Sequence, residues 1–395
     1  MNAESRSVVR GYRFASGAAG IKASGKADLG LIVSETPAAA AGVFTRNQVA
    51  AAPVVVTSGR LAKGRCQAIV VNSGNANACT GERGMRDAVR MGELVARALG
   101  IDQELVAVSS TGVIGQPMPM AGLEDAVARL AGRLDPDGWP GVAEAIMTTD
   151  SFAKTASRTG AGYGILGIAK GAGMIHPDMA TMLAFVLTDA AVDPALMKTL
   201  LLQAVDRTFN AITVDGDTST NDMVLLLANG RSGGDVIAAG SREAEQFAAL
   251  LEEVLLELAK MIVRDGEGAT KLVEVRVTGA VSDAEARLAA RSIATSSLVK
   301  TAFFGEDANW GRIIAAAGYS GATVDPDRVR ILFDDVEMAR NGLAVGGDSE
   351  ARGTEVLRRD AFVVTVDLGL GDGAFSYYTS DLTHDYIRIN AEYRT

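Results

Sequence analysis

Short apolar runs alternate with stretches of helical periodicity along most of this chain, and that alternation constrains the fold more than any other feature. The runs at 68–71, 105–108, 164–169, 182–187, 274–278, 329–333 and 362–367 read as strands. Several are continuously apolar rather than alternating, as in strands buried on both faces. The spacing predicts helices over 194–209, 243–263 and 85–99. The first has a clear start, with Asp193 as N-cap, Pro194 at the first helical position, and a stripe of Leu196, Met197, Leu200, Leu201, Ala204 and Val205. This interleaving is the pattern of an α/β protein, with the apolar stripes facing the core. No fixed repeat or low-complexity linker divides the 395 residues. A change of texture after AVSDAEARLAAR at 280–291 marks the start of a C-terminal domain at about residue 280.

Composition narrows the chemistry. Two histidines, His176 and His384, and two cysteines, Cys66 and Cys79, leave no material for a His-rich metal centre, a paired C-x-x-C zinc site or a disulfide framework. No cofactor or metal is expected. With 48 acidic against 38 basic residues, the formal charge of −10 disfavours nucleic acid and anionic membrane as partners. The N-terminal segment lacks an apolar h-region and no run has the length of a membrane span, so a soluble protein of a reducing cytoplasm is expected.

Two near-motifs fail on chemistry. The segment GIKASGKA at 20–27 approaches a phosphate-binding loop, but Ala27 lacks the hydroxyl that would hold magnesium and no apolar strand precedes it. It reads as a surface turn. The acidic stretch VDGDTSTND at 214–222 has Thr220 where a calcium loop needs glycine, and reads as a polar loop bordering a site. Cys79 reads as a small packed residue, and His176 as a structural polar residue in a turn.

The most informative segment is KGAGMIHPDMATMLAFVLT at 170–188. It leaves a strand, passes Gly171, Gly173 and Pro177, and re-enters a buried run just after Thr181. A threonine hydroxyl is a weak nucleophile without a base, and histidine is nearly absent. An N-terminal threonine carries its own base, an α-amine with a reference pKa of roughly 8. An internal Thr181 reaches that state if its Oγ attacks the Ala180 carbonyl, an N-to-O acyl shift forms an ester, and water releases the new terminus. The alternative is a threonine that caps a strand.

The motif KGAGMIHPDMATML, together with GVFTRN at 42–47, NSGNANACTG at 72–81, STGVIG at 110–115, IMTTD at 146–150, ITVDGDTSTND at 212–222, DGEGATKLVEV at 265–275 and the terminal INAEY, resembles the ornithine acetyltransferase family, also called glutamate N-acetyltransferase. The motifs run in order over most of the chain. The resemblance implies a layered α-β-β-α sandwich of the self-processing, N-terminal-nucleophile-like type, with a smaller α+β C-terminal domain. It implies cleavage between Ala180 and Thr181 into an α chain of 1–180 and a β chain of 181–395, associated as an α2β2 heterotetramer. It also implies ping-pong transfer of acetyl from N2-acetyl-L-ornithine to L-glutamate in arginine biosynthesis, with Thr181 as nucleophile and Thr111 and Gly112 stabilising the oxyanion. Thr148, Lys170, Thr181, Glu267, Asn390 and Thr395 are the implied substrate-binding positions. Some members of the family also take acetyl-CoA as donor. His384 and Arg394, beside matched C-terminal residues, are departures that bear on the acceptor. Three readings compete: this acetyltransferase or a related acyltransferase of a specialised pathway; an amidohydrolase or aminopeptidase in which water replaces glutamate; and a two-domain binding protein that is never cut.

Overall fold

The computed structural model describes residues 8–176 and 182–392. The expected site residues Ala180, Thr181 and Thr395 lie outside the described residues. The fold is organised by one sixteen-residue strand, Leu29–Phe44. Its first part pairs antiparallel with Tyr12–Gly17 and with Arg65–Asn75, and its last part, from Ala39, pairs with Met223–Ala228. Between Val33 and Ala38 its register against Arg65–Asn75 shifts. Pro37 stands inside that interruption, where the missing proline N–H costs no ladder hydrogen bond. One strand thus serves two halves of an eight-stranded sheet. The first half continues through Arg65–Asn75 to Val106–Val113, and the second runs from Met223–Ala228 through Leu183–Thr188 and Gly164–Lys170 to Lys154–Thr159.

Side-chain alternation then stacks four layers. Leu183, Phe185, Leu187, Leu225 and Leu227 share a core with Ile32, Ile69 and Val71, so the two halves of the sheet face each other. On the far side of the second half, Ala184, Val186, Val224 and Leu226 meet the helices Pro194–Arg207 and Arg242–Arg264 through Met197, Leu201, Leu251, Leu255 and Leu258. On the far side of the first half, Leu31, Val70, Val106 and Val108 meet Gly81–Leu99 and Met120–Ala131 through Met91, Val95, Leu123 and Val127. Helix, sheet, sheet and helix follow one another, which is the α-β-β-α order expected.

The local signals explain the helix starts. Asp193 accepts from the N–H groups of Ala195 and Leu196, and Ser241 accepts from Ala244. Each expected helix is present; the one expected from residue 85 begins at Gly81, and the one expected to reach 209 ends at Arg207. Each expected strand is present as well, although Leu105 belongs to a short 3₁₀ turn.

A second, seven-stranded sheet takes all but one of its strands from Leu272–Ala280 onward, beginning upstream of the texture change at 280. Val273, Val275, Val277, Val364 and Val366 pack beneath Asp283–Thr295, Ser297–Phe304 and Trp310–Gly318. Ile212–Thr213 adds a parallel edge strand beside Tyr378–Thr379, so the chain visits the second sheet once before returning to the first at Met223–Ala228. Among the described residues, no helix is long and apolar enough to cross a membrane.

Candidate active site

Strand ends from both halves of the first sheet open onto one cavity of about 950 Å³. Its wall includes Thr111, Gly112, Thr148, Lys170, Glu267 and Asn390, so every described position that the sequence nominates for oxyanion stabilisation or substrate binding meets at one place.

Thr111 and Gly112 end the strand Val106–Val113, where Gly112 pairs with Gly74 on the neighbouring strand. Gly112 has φ +131° and Gly74 φ +95°, conformations that side chains rarely adopt. A Cβ on Gly112 would stand 2.3 Å from the Gly74 carbonyl carbon. Only glycine lets the two backbones approach this closely at the cavity wall. Asn221, also on the wall, donates through Nδ2 to the carbonyls of Ala76 (2.6 Å) and Ser110 (2.9 Å), tying the 219–222 loop to the residue before Thr111.

Lys170 ends the strand Gly164–Lys170, with its ammonium 2.8 Å from Thr148 Oγ1 and 3.7 Å from Asp150 Oδ2. Asp150 is fixed from several sides. It accepts from the N–H groups of Thr148 and Gly171, and Lys154 Nζ lies 2.7 Å from its Oδ1. Lys154 is fully buried and also pairs with Asp265 at 2.5 Å, which in turn holds the Ser151 N–H and hydroxyl. Burial opposes ionisation of Asp150, but the charges of Lys170 and Lys154 and the hydrogen bonds from Lys154 and Thr148 overcome it and hold the carboxyl below the usual carboxylate range. The result is a buried cation–anion–cation array whose outer cation, Lys170, faces the cavity.

Glu267 supplies the opposite charge. It is 8% exposed, its N–H donates to the Ala172 carbonyl, and its Oε2 accepts from Asn390 Nδ2 at 2.9 Å. Asn390 comes from the helix His384–Glu392, so the C-terminal segment completes this wall. His384 stacks edge-on against Phe304, with ring centres 5.5 Å apart, at the far end of that helix.

The segment leading toward Thr181 is braced. Asp215 accepts from the N–H groups of Met174 and Ile175, and burial pushes its carboxyl above the ordinary range. The Thr213 hydroxyl donates to the Ile175 carbonyl, so it can only accept from His176 Nδ1; Arg291 Nη2 donates to Nε2 at 2.8 Å. With Arg291 as the donor, Nε2 accepts and the ring hydrogen sits on Nδ1. Beyond Thr181, Met182 N–H donates to Asp222 Oδ1 at 2.9 Å, and Leu183 pairs with Lys170 across the sheet.

Two expectations are corrected. Cys79 is not packed: it is exposed, with φ +55°, because the Asn- and Gly-rich stretch turns outward there. Cys66 is the buried one, and burial pushes its thiol up to about 12. The turn at 20–27 is exposed as expected, yet it also forms part of the cavity wall. Lys22 Nζ donates to the carbonyls of Ala27, Ala145 and Met147, which spends its three protons on pinning the turn beside Thr148. Asp150, Lys154, Asp265 and Asp222 were not singled out from sequence, although Asp150, Asp265 and Asp222 stand inside quoted motifs.

The model of the ArgJ family matches residues 13–395. The chain is 62% identical over 390 residues to the arginine biosynthesis bifunctional protein ArgJ of Syntrophotalea carbinolica, covering 98% of this chain and 99% of that protein. It is 58% identical over 391 residues to the protein of the same description from Geobacter sulfurreducens, covering 98% and 100%. The crystal structure of arginine biosynthesis bifunctional protein ArgJ from Bacillus halodurans matches with a TM-score of 0.52 and 44% identity, covering 54% of this chain and all of that one. By sequence over nearly its whole length, the chain belongs to the ArgJ family.

Proposed function

We propose that this chain is a glutamate N-acetyltransferase of arginine biosynthesis that moves acetyl from N2-acetyl-L-ornithine to L-glutamate. Self-cleavage prepares it. Thr181 Oγ attacks the Ala180 carbonyl carbon, the C–N bond breaks, the hydroxyl proton passes to nitrogen, and an ester joins Ala180 to Thr181. Water hydrolyses that ester, leaving a carboxylate on the α chain of 1–180 and a free hydroxyl and amine on Thr181 of the β chain.

In the transfer, the Thr181 amine takes the proton from Oγ as Oγ attacks the acetamide carbonyl. Thr111 and the Gly112 N–H stabilise the oxyanion. The ornithine nitrogen leaves with the proton, acetyl remains on Thr181, and the amine of glutamate then attacks by the same path in reverse. Lys170 and Glu267 provide the opposite charges that a small zwitterion requires, with Thr148 and Asn390 as neutral partners. The observation that carries the reading is the convergence of Thr111, Gly112, Thr148, Lys170, Glu267 and Asn390 on one cavity, although they come from widely separated parts of the chain. Thr395 completes the proposed substrate set. The working form proposed is a cytoplasmic α2β2 heterotetramer.

The test is ornithine release from N-acetylornithine, measured with and without glutamate. A transferase releases ornithine in step with N-acetylglutamate and only stoichiometrically without the acceptor. Continuous release without glutamate makes the enzyme a hydrolase instead.

A further inference from the structure

Asp222 is a carboxylate that the acyl-transfer scheme above leaves without a task. It is 3% exposed at the start of the strand Met223–Ala228. Its Oδ1 accepts from the Met182 N–H at 2.9 Å, and its backbone carbonyl accepts from Thr45 N at 3.0 Å. Met223 N–H donates to the Met182 carbonyl, so both polar groups of Met182 are held by the Asp222–Met223 step. Asp222 Oδ2 is buried and makes no hydrogen bond among the described residues. An orphaned carboxylate oxygen is costly in a folded interior, and it calls for a further donor.

Covalent geometry keeps one candidate donor close. Met182 N is bonded to the carbonyl carbon of Thr181, so the Thr181 nitrogen lies within about 4 Å of Met182 N in any backbone conformation. Before cleavage that nitrogen is an amide; afterwards it is an amine that becomes cationic. We propose that Asp222 is a positioning residue for Thr181, its Oδ1 fixing the peptide unit that carries the nucleophile and its Oδ2 receiving the α-ammonium once the chain is cut. The inference rests on the proposed role of Thr181.

The electrostatics agree. Burial pushes the Asp222 carboxyl well above the ordinary range, opposed by the Met182 N–H, the nearby Ser219 and Thr45 hydroxyls and the charge of Lys170. Lys170 is the charged side chain with the largest effect on Asp222. A new ammonium beside Asp222 ionises it, and the ionised Asp222 in turn stabilises the ammonium that forms each time the amine takes the proton from Oγ. A carboxylate plays the same part toward the imidazolium of a serine-protease triad. The sign follows: Asp222 raises the amine pKa above its ordinary value of roughly 8, and Lys170 opposes it.

Asp222→Asn keeps the acceptor for Met182 N–H and removes the charge. It is expected to self-cleave almost as wild type does, while the acid limb of kcat/KM for N-acetylornithine moves down by about one pH unit and the plateau falls about tenfold or more. Asp222→Ala loses the acceptor too and is expected to cleave several-fold more slowly. A wild-type acid limb and plateau in Asp222→Asn, or its failure to cleave while folded, overturns the proposal. Wild-type protein supplies a measurement that needs no variant. The pH dependence of carbamylation by cyanate, read on the peptide that begins at Thr181, gives the amine pKa, expected above roughly 8. A value at or below that overturns the role of Asp222. The absence of any peptide beginning at Thr181 instead overturns the nucleophile reading on which it rests.

Discussion

Replacing Lys154 by methionine tests the charge array behind the cavity. Lys154 is fully buried, with its ammonium 2.7 Å from Asp150 and 2.5 Å from Asp265. Methionine keeps much of the volume and removes the cation, leaving two buried carboxylates short of charge. Breaking a buried pair from one side costs about 3–5 kcal/mol. Here the lower end is expected, because Asp150 retains the N–H groups of Thr148 and Gly171 and Lys170 at 3.7 Å, while Asp265 retains Ser151. The loss should depend on pH. In wild type the depressed Asp150 carboxyl contributes stability that is fully present above the unfolded value of about 3.9 and is lost as pH falls through the folded value. In the variant Asp150 stays buried but loses its nearest cation, so its carboxyl rises above the unfolded value, folding there takes up a proton and stability falls as pH rises. Unfolding free energies of wild type and variant from urea titrations at pH 5 and pH 8 therefore separate by about 3 kcal/mol at the higher pH and by clearly less at the lower. A difference below about 1 kcal/mol at pH 8, or the same difference at both pH values, would refute the reasoning.

Other outcomes follow from the site. Thr111→Ala should lower kcat about 10²-fold with a smaller change in KM, and unchanged kinetics removes Thr111 from the mechanism. Gly112→Ala, whose Cβ would lie 2.3 Å from the Gly74 carbonyl carbon, should lower kcat at least as much; a wild-type rate would exclude Gly112 from the oxyanion site. Glu267→Gln keeps the shape and the contact to Asn390 but loses the charge, and should raise KM for at least one substrate about tenfold. Maleimide at pH 8 should modify exposed Cys79 without loss of activity and spare Cys66, whose thiol burial holds at about 12; peptide mapping that finds Cys66 labelled in folded protein would contradict this.

The fold was legible where burial wrote itself into continuous apolar runs, such as Leu183–Thr188 and Gly164–Lys170, and where caps were explicit, as at Asp193. It was not legible at Leu29–Phe44, whose Ser-Glu-Thr-Pro break and alanine run have low strand propensity, although this strand joins the two halves of the sheet. Its pairing on both sides, rather than its side chains, makes it a strand. At the site, isolated Thr111, Lys170 or Glu267 would read as ordinary polar residues; motif resemblance nominated them, and the fold brings them together. Lys154 and Asp265 escaped notice because charged residues are rarely fully buried, and pairing across more than a hundred residues leaves no local pattern. Lys22 shows the same limit: a near-motif read only as a surface turn hid a lysine that pins the cavity wall through backbone carbonyls.

The central claim is that Thr181 becomes a chain terminus and carries the acetyl group. Incubation with N-acetylornithine alone, an acid quench and peptide mapping by mass spectrometry test it directly. The account predicts a peptide that begins at Thr181 and bears one acetyl group, and the same peptide unmodified when glutamate is added before the quench. An acetyl group on another residue, or no chain that begins at Thr181, would contradict it.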